Sequence, residues 1–117
     1  MVRRAILGLS LLACVAQAQS TEDKIHLRAT VKAIVMLSHF SGEVITVDLD
    51  PRFALTLRIE SANPSVYSFR EGALVTLAIH SPALLFGGKP KEGETYNFSL
   101  SRTTENRKIR FFGLQLE

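Results

Sequence analysis

His80 and Ser81 stand side by side in AIHSPALLFGG (78–88), and a histidine beside a hydroxyl is the smallest pairing of base and nucleophile. Such a pair works only if the imidazole reaches the hydroxyl and a third group orients the imidazole. Alternating apolar residues upstream place the pair at a strand end, where neighbouring side chains leave opposite faces. The two diverge, no orienting partner is indicated, and no catalytic residue is expected. Asp48 and Asp50 are the next candidates. At strand spacing their carboxylates share a face and could hold a divalent cation, which gives an alternative reading as a metal-binding protein or small metal-dependent enzyme. Two oxygen donors fall short of the roughly six to eight that calcium takes. His26, His39 and His80 lack ligand spacing, and Cys14 is the only cysteine, so a closed zinc site is not expected. Neither metal nor cofactor is predicted.

Strands must position these residues. Ile25, Leu27, Ala29, Val31, Ala33, Val35 and Leu37 alternate with His26, Arg28, Thr30 and Lys32. This predicts one long strand, apolar on both faces from Ile34 to Met36, and then a turn over 38–42. Ile45, Val47 and Leu49 inward, with Thr46, Asp48 and Asp50 outward, predict a second strand. Asp50-Pro51 opens a turn into a third, with Phe53, Leu55, Leu57 and Ile59 inward. Inward residues are odd-numbered on both arms, so a three-residue loop is expected. It would pair Leu49 with Phe53, Val47 with Leu55 and Ile45 with Leu57.

Asn63-Pro64-Ser65 marks a connection, after which Tyr67 and Phe69 are expected to plug one end of the barrel. A fourth strand carries Val75, Leu77 and Ile79 inside, and Thr76, Ala78 and His80 outside. Ser81 suits a helix N-cap, Pro82 a first helical position and Gly87 a C-terminal stop. Residues 82–86 are therefore expected to form one helical turn, with Leu84, Leu85 and Phe86 capping the barrel. An exposed loop over 87–94 precedes a fifth strand, with Tyr96, Phe98 and Leu100 inward and Asn97, Ser99 and Ser101 outward. A polar turn is expected over 103–108. The last strand switches inward parity between Phe111 and Phe112, which predicts a β-bulge near Gly113.

About six strands and one short helical turn predict an all-β fold, a small closed or partly open barrel. The long first strand, the hairpin after it and the capping turn resemble an OB-fold. Residues 72–86, with Gly72, Val75, Leu77, Ile79 and Leu85-Phe86, resemble the end of a TOBE domain, itself OB-like. They depart from that pattern by one missing residue and at Ser81-Pro82. The resemblance implies a barrel and leaves the ligand open.

The opening MVRRAILGLSLLACVAQAQS has the layout of a secretory signal peptide. Arg3 and Arg4 precede an apolar core from Ala5 to Val15, and Ala16-Gln17-Ala18 supplies small residues for cleavage. The core is shorter than the roughly 20 residues of a membrane span. Cleavage between Ala18 and Gln19 is expected, with 1–18 removed and 19–117 forming one barrel domain that has no transmembrane segment. The destination is periplasmic or secreted. Leu11-Leu12-Ala13-Cys14 also resembles a lipobox, so a lipid-anchored envelope lipoprotein acylated at Cys14 is the alternative. Asn97-Phe98-Ser99 matches a glycosylation acceptor, a chance match in a bacterial chain.

The chain holds 14 Lys and Arg against 11 Asp and Glu, but Arg3 and Arg4 leave with the signal segment. A near-neutral mature chain offers no electrostatic case for nucleic acid. Its outward positions on the second and third strands also lack the aromatics on which bases stack. The expectation is a non-enzymatic binding module whose partner is an envelope protein, a glycan or a small molecule. Arg28, Lys32, Thr46, Asp48 and Arg58 form the candidate ligand face.

Overall fold

The computed structural model describes residues 20–117. The expected signal segment, its cleavage point at Ala18 and Gln19, and Cys14 lie outside the described residues. The chain forms β1 (Ser20–Met36), a 3₁₀ turn (Leu37–His39), β2 (Ile45–Thr46), β3 (Phe53–Asn63) and β4 (Leu74–Ile79). A one-turn helix α1 (Pro82–Phe86), β5 (Thr95–Glu105) and β6 (Lys108–Leu116) follow. The strands make one sheet in the order β2-β4-β3-β1-β5-β6, curled until β2 approaches β6 and the barrel nearly closes. Among the described residues no helix is long and apolar enough to cross a membrane.

Alternation builds the core as expected. Ile25, Ala29, Val31, Leu55, Leu57, Ile59, Leu77, Ile79, Phe98 and Leu100 are fully buried, and Leu27 and Val75 nearly so. The first half of β1 pairs with β5, from Ser20 opposite Glu105 to Thr30 opposite Thr95. Its second half pairs with β3, from His26 opposite Asn63 to Met36 opposite Phe53. The ladder skips Lys32, passing from Val31 opposite Leu57 to Ala33 opposite Thr56. An extra residue reverses which side chains face inward. Ile34 therefore packs on the core and Val35 is exposed; Met36, the last residue of the strand, is exposed as well, which corrects the expected cover on both faces of this strand end.

The second strand departs most from expectation. β2 pairs in parallel with β4, Ile45 opposite Leu77 and Thr46 opposite Ala78, and not with β3. Both edges of β3 are already occupied, by β1 and by β4, so no hairpin can form there. Val47 is buried as expected, but Leu49 is 83% exposed. Ala54 and Ala78, expected outside, face each other across β3 and β4 and are fully buried.

Three smaller corrections follow from local geometry. Tyr67 takes a left-handed φ of 49° and stays 63% exposed, so of the two aromatics only Phe69 is inside, edge-on to Phe111 at 5.1 Å. Ser99 and Ser101 point outward yet are buried, flanked across the ladders by His26 and Gln115, and by Lys24 and Phe112. The polar stretch over 103–108 is mostly strand. Only Asn106 and Arg107 turn, with φ of 51° and 66°, the two positive values that a two-residue type I′ hairpin requires. The bulge near Gly113 is present: the β5–β6 register shifts between Ser99 and Ser101, and Gly113 has φ 66°.

Leu57→Ala should cost about 2–4 kcal/mol by opening a cavity in this core. Thr56→Ala, beside it on the outer face, loses the hydroxyl contact with Thr76 (2.9 Å) and should cost about 1 kcal/mol. Denaturant melts of both check the facing; equal costs would contradict it.

Candidate functional site

The stretch around His80 is built as a clasp. Ser81 sits at φ −146° and ψ 117°, outside the helical region, and its Oγ accepts from the Leu84 backbone N–H at 3.2 Å. Gly87 ends the turn in the left-handed region at φ 69°. Ser81 is thus an N-cap and Gly87 a C-terminal stop, as expected. The His80 backbone N–H donates to Asp48 Oδ2 at 2.9 Å, and His80 Nδ1 lies 2.9 Å from the Asp50 carbonyl. A carbonyl only accepts, so Nδ1 carries the hydrogen. Arg52 Nε donates to Asp50 Oδ2 at 3.1 Å, and the Arg52 backbone N–H donates to the Ile79 carbonyl at 2.8 Å.

These bonds hold 47–52 across the end of β4. His80 Nδ1 and Ser81 Oγ are engaged with different partners, and no hydrogen bond joins the two side chains. Asp48 and Asp50 act on the backbone and on Arg52. Among the described residues no group of three or more His, Cys, Asp or Glu side chains converges to hold a metal ion. The spacing of the two aspartates signalled a shared face; that Asp48 accepts from the His80 backbone and Asp50 from the Arg52 side chain was not legible from it.

α1 caps less than expected. Leu85 and Phe86 pack on the core, and Phe86 meets Tyr96 at 5.0 Å and Phe98 at 5.9 Å. Leu84 is 79% exposed. With Leu49, Leu85, Leu114 and His80 it borders a shallow groove at this end of the barrel.

The candidate ligand face divides in two. Arg28 and Lys32 on β1 and Arg58 on β3 are all exposed on neighbouring strands. Thr95, Thr30, Arg58 and Leu74 form one row across β5, β1, β3 and β4, with Asn97, Arg28 and Ser61 in the adjoining row. Hydroxyl contacts stiffen this wall, Thr30 with Thr95 at 2.7 Å and Thr56 with Thr76 at 2.9 Å. An open groove at its margin lies beside Arg28, Asn97 and the His26 Nδ1–Glu117 Oε1 hydrogen bond at 2.8 Å. Thr46 and Asp48 are not part of this wall. They border a second groove, against Arg110 to Gly113 of β6.

Beyond the core, Arg102 donates to Asp23 through Nε at 2.9 Å and a terminal guanidinium nitrogen at 2.6 Å. These bonds hold the Asp23 carboxyl below its ordinary range. A lowered folded-state value stabilises the fold fully above the unfolded value near pH 4 and is lost as pH falls through the folded one. Asp23→Asn should therefore flatten the loss of stability on the acid side of about pH 4 and leave the slope near neutrality unchanged. Melts across that range check it. At the clasp, Ser81→Ala should cost about 1 kcal/mol. Phe86→Ala, half-buried among aromatics, should cost about 2–3 kcal/mol. A fully stable Phe86→Ala protein would refute its role at the barrel end.

Compared with protein-family models, with curated proteins and with solved structures, the chain matches none.

Proposed function

We propose that the protein is an exported, non-enzymatic interaction module of the bacterial cell envelope, an OB-like barrel that binds another envelope protein on its outer wall. The observation that carries this reading is the row of Thr95, Thr30, Arg58 and Leu74 across four strands, exposed except at the half-buried Thr30, with Arg28 beside it. The wall is broad and shallow, whereas small-molecule sites are concave and enclosing, so a macromolecular surface suits it better than a small ligand or a short glycan. Arginine is enriched at protein interfaces, where it commonly anchors binding. A non-enzymatic role is supported by the clasp, in which each side chain of chemical interest is bonded to the frame. The OB-like reading draws support from a long first strand shared by both halves of the barrel and a helical turn between the strands at 74–79 and 95–105. Export draws support from the opening segment and from β1, already laddered at Ser20, two residues beyond Ala18.

Two measurements test this. Mass analysis of protein expressed with its own leader should give a chain beginning at Gln19. A product acylated at Cys14 would establish the lipid-anchored alternative, and one retaining Met1 would refute processing. A photo-crosslinking residue in place of Leu74 should capture a discrete adduct in intact cells, which Arg28→Glu with Arg58→Glu abolishes without lowering Tm. Equal capture from a probe at Lys89 in the 87–94 loop would argue against the wall.

A further inference from the structure

We propose that β6 is an acceptor edge that takes an extended acidic segment of a partner protein as a further strand of the sheet. This site lies apart from the wall of Arg28 and Arg58. β6 ends the strand order: one edge is laddered to β5, and no described strand pairs with the other. β2 comes near but is bonded to β4. A strand edge of this kind offers unpaired backbone N–H and C=O groups, the template for strand addition. Gly113, at φ 66°, bulges the strand, so the regular run is Lys108 to Phe112.

Two open grooves follow this run. One lies along the β5–β6 hairpin to Asn106, the other between β6 and Thr46 to Leu49, and both are bordered by Arg110 and Phe112. The first lies over the β5–β6 hairpin, and the second follows the unpaired side of β6 from Arg110 to Gly113.

Charge selects the occupant. Lys108 and Arg110 are both exposed and two residues apart, so they share a face. On the paired side Lys108 stands opposite Glu105 and Arg110 opposite neutral Thr103, so Arg110 is the cation without an acidic neighbour across the ladder. Among the described residues, neither cation has a carboxylate within ion-pair distance. A second copy is a poor occupant. The two-fold antiparallel pairing that uses the whole run from Lys108 to Phe112 sets Arg110 against its own copy, and like charges directly opposite are destabilising. A segment with carboxylates at alternate positions and an apolar residue two further on complements the edge.

The probe is a fluorescein-labelled peptide, acetyl-Thr-Val-Thr-Glu-Thr-Glu-Thr-amide, titrated at low ionic strength and read by anisotropy and by backbone amide shifts. Binding should shift the amides of Lys108 to Phe112. It should weaken about tenfold or more in Arg110→Glu, as an attraction becomes a repulsion on an exposed residue, with Arg110→Thr intermediate. N-methylation of alternate peptide nitrogens should abolish it. No binding, equal binding of the peptide with Lys for Glu, or undiminished binding of the N-methylated peptide would each overturn the proposal. So would concentration-dependent dimerisation that protects the same amides, because the edge would then serve a second copy.

Discussion

Everything in this fold depends on one strand being bonded along both edges. From His26 to Thr30, β1 is laddered to β3 and β5 together, and among the described residues that stretch alone joins the two halves of the barrel through one backbone. Its inward side chains Leu27 and Ala29 are buried beneath both halves. On either side of the stretch the strand serves one partner alone. The skipped residue Lys32 and the register shift between Arg28 and Ala29 supply the extra twist that lets a single strand turn from one half to the other. Without that twist the sheet would stay open and its apolar face would meet water.

The ends of the barrel are closed by different means. At one, Phe69 is fully buried against Phe111. At the other, the half-buried Phe86 and the clasp of Asp48, Asp50 and His80 do the work, with more polar contacts and less apolar cover. The grooves beside Leu49 and Leu84 lie at this less covered end. The same bonds explain why a histidine, a serine and two aspartates gather there. Each satisfies a backbone group or a neighbouring side chain that the turn of the chain would otherwise leave without a partner.

The barrel class, the capped helical turn and the bulge at Gly113 were legible because each rests on local chemistry: alternation, an N-cap serine, and a glycine at a parity switch. What failed depended on which edge was free. Odd-numbered alternation on both arms argued correctly for the inward faces of 45–47 and 53–59, but it carried no information about neighbours in the sheet. The expected hairpin between them therefore does not form, and Leu49 lies exposed. Lys32 is another case. It looks like one more polar position in the alternation, yet being passed over by the ladder it turns Val35 outward. The candidate ligand face was half legible for the same reason: Arg28, Lys32 and Arg58 lie on neighbouring strands because β1 pairs with β3, while Thr46 and Asp48 followed β2 to another edge.

The pairing of Ser20 with Glu105 also constrains how the fold can be reached in time. The earliest described strand to be made finds the partner for its first half only when nearly the whole chain is available. Contacts this distant in sequence carry a large loop-closure cost before they return any stabilisation, and folds dominated by them form slowly. Until β5 arrives, the first half of β1 keeps one edge bare, and its apolar face from Ile25 to Val31 lacks that side of the barrel. A chain emerging N-terminus first, from a ribosome or across a membrane, would hold that surface uncovered throughout its passage. The long central strand that unites the finished barrel is thus also the part of the nascent chain most in need of protection.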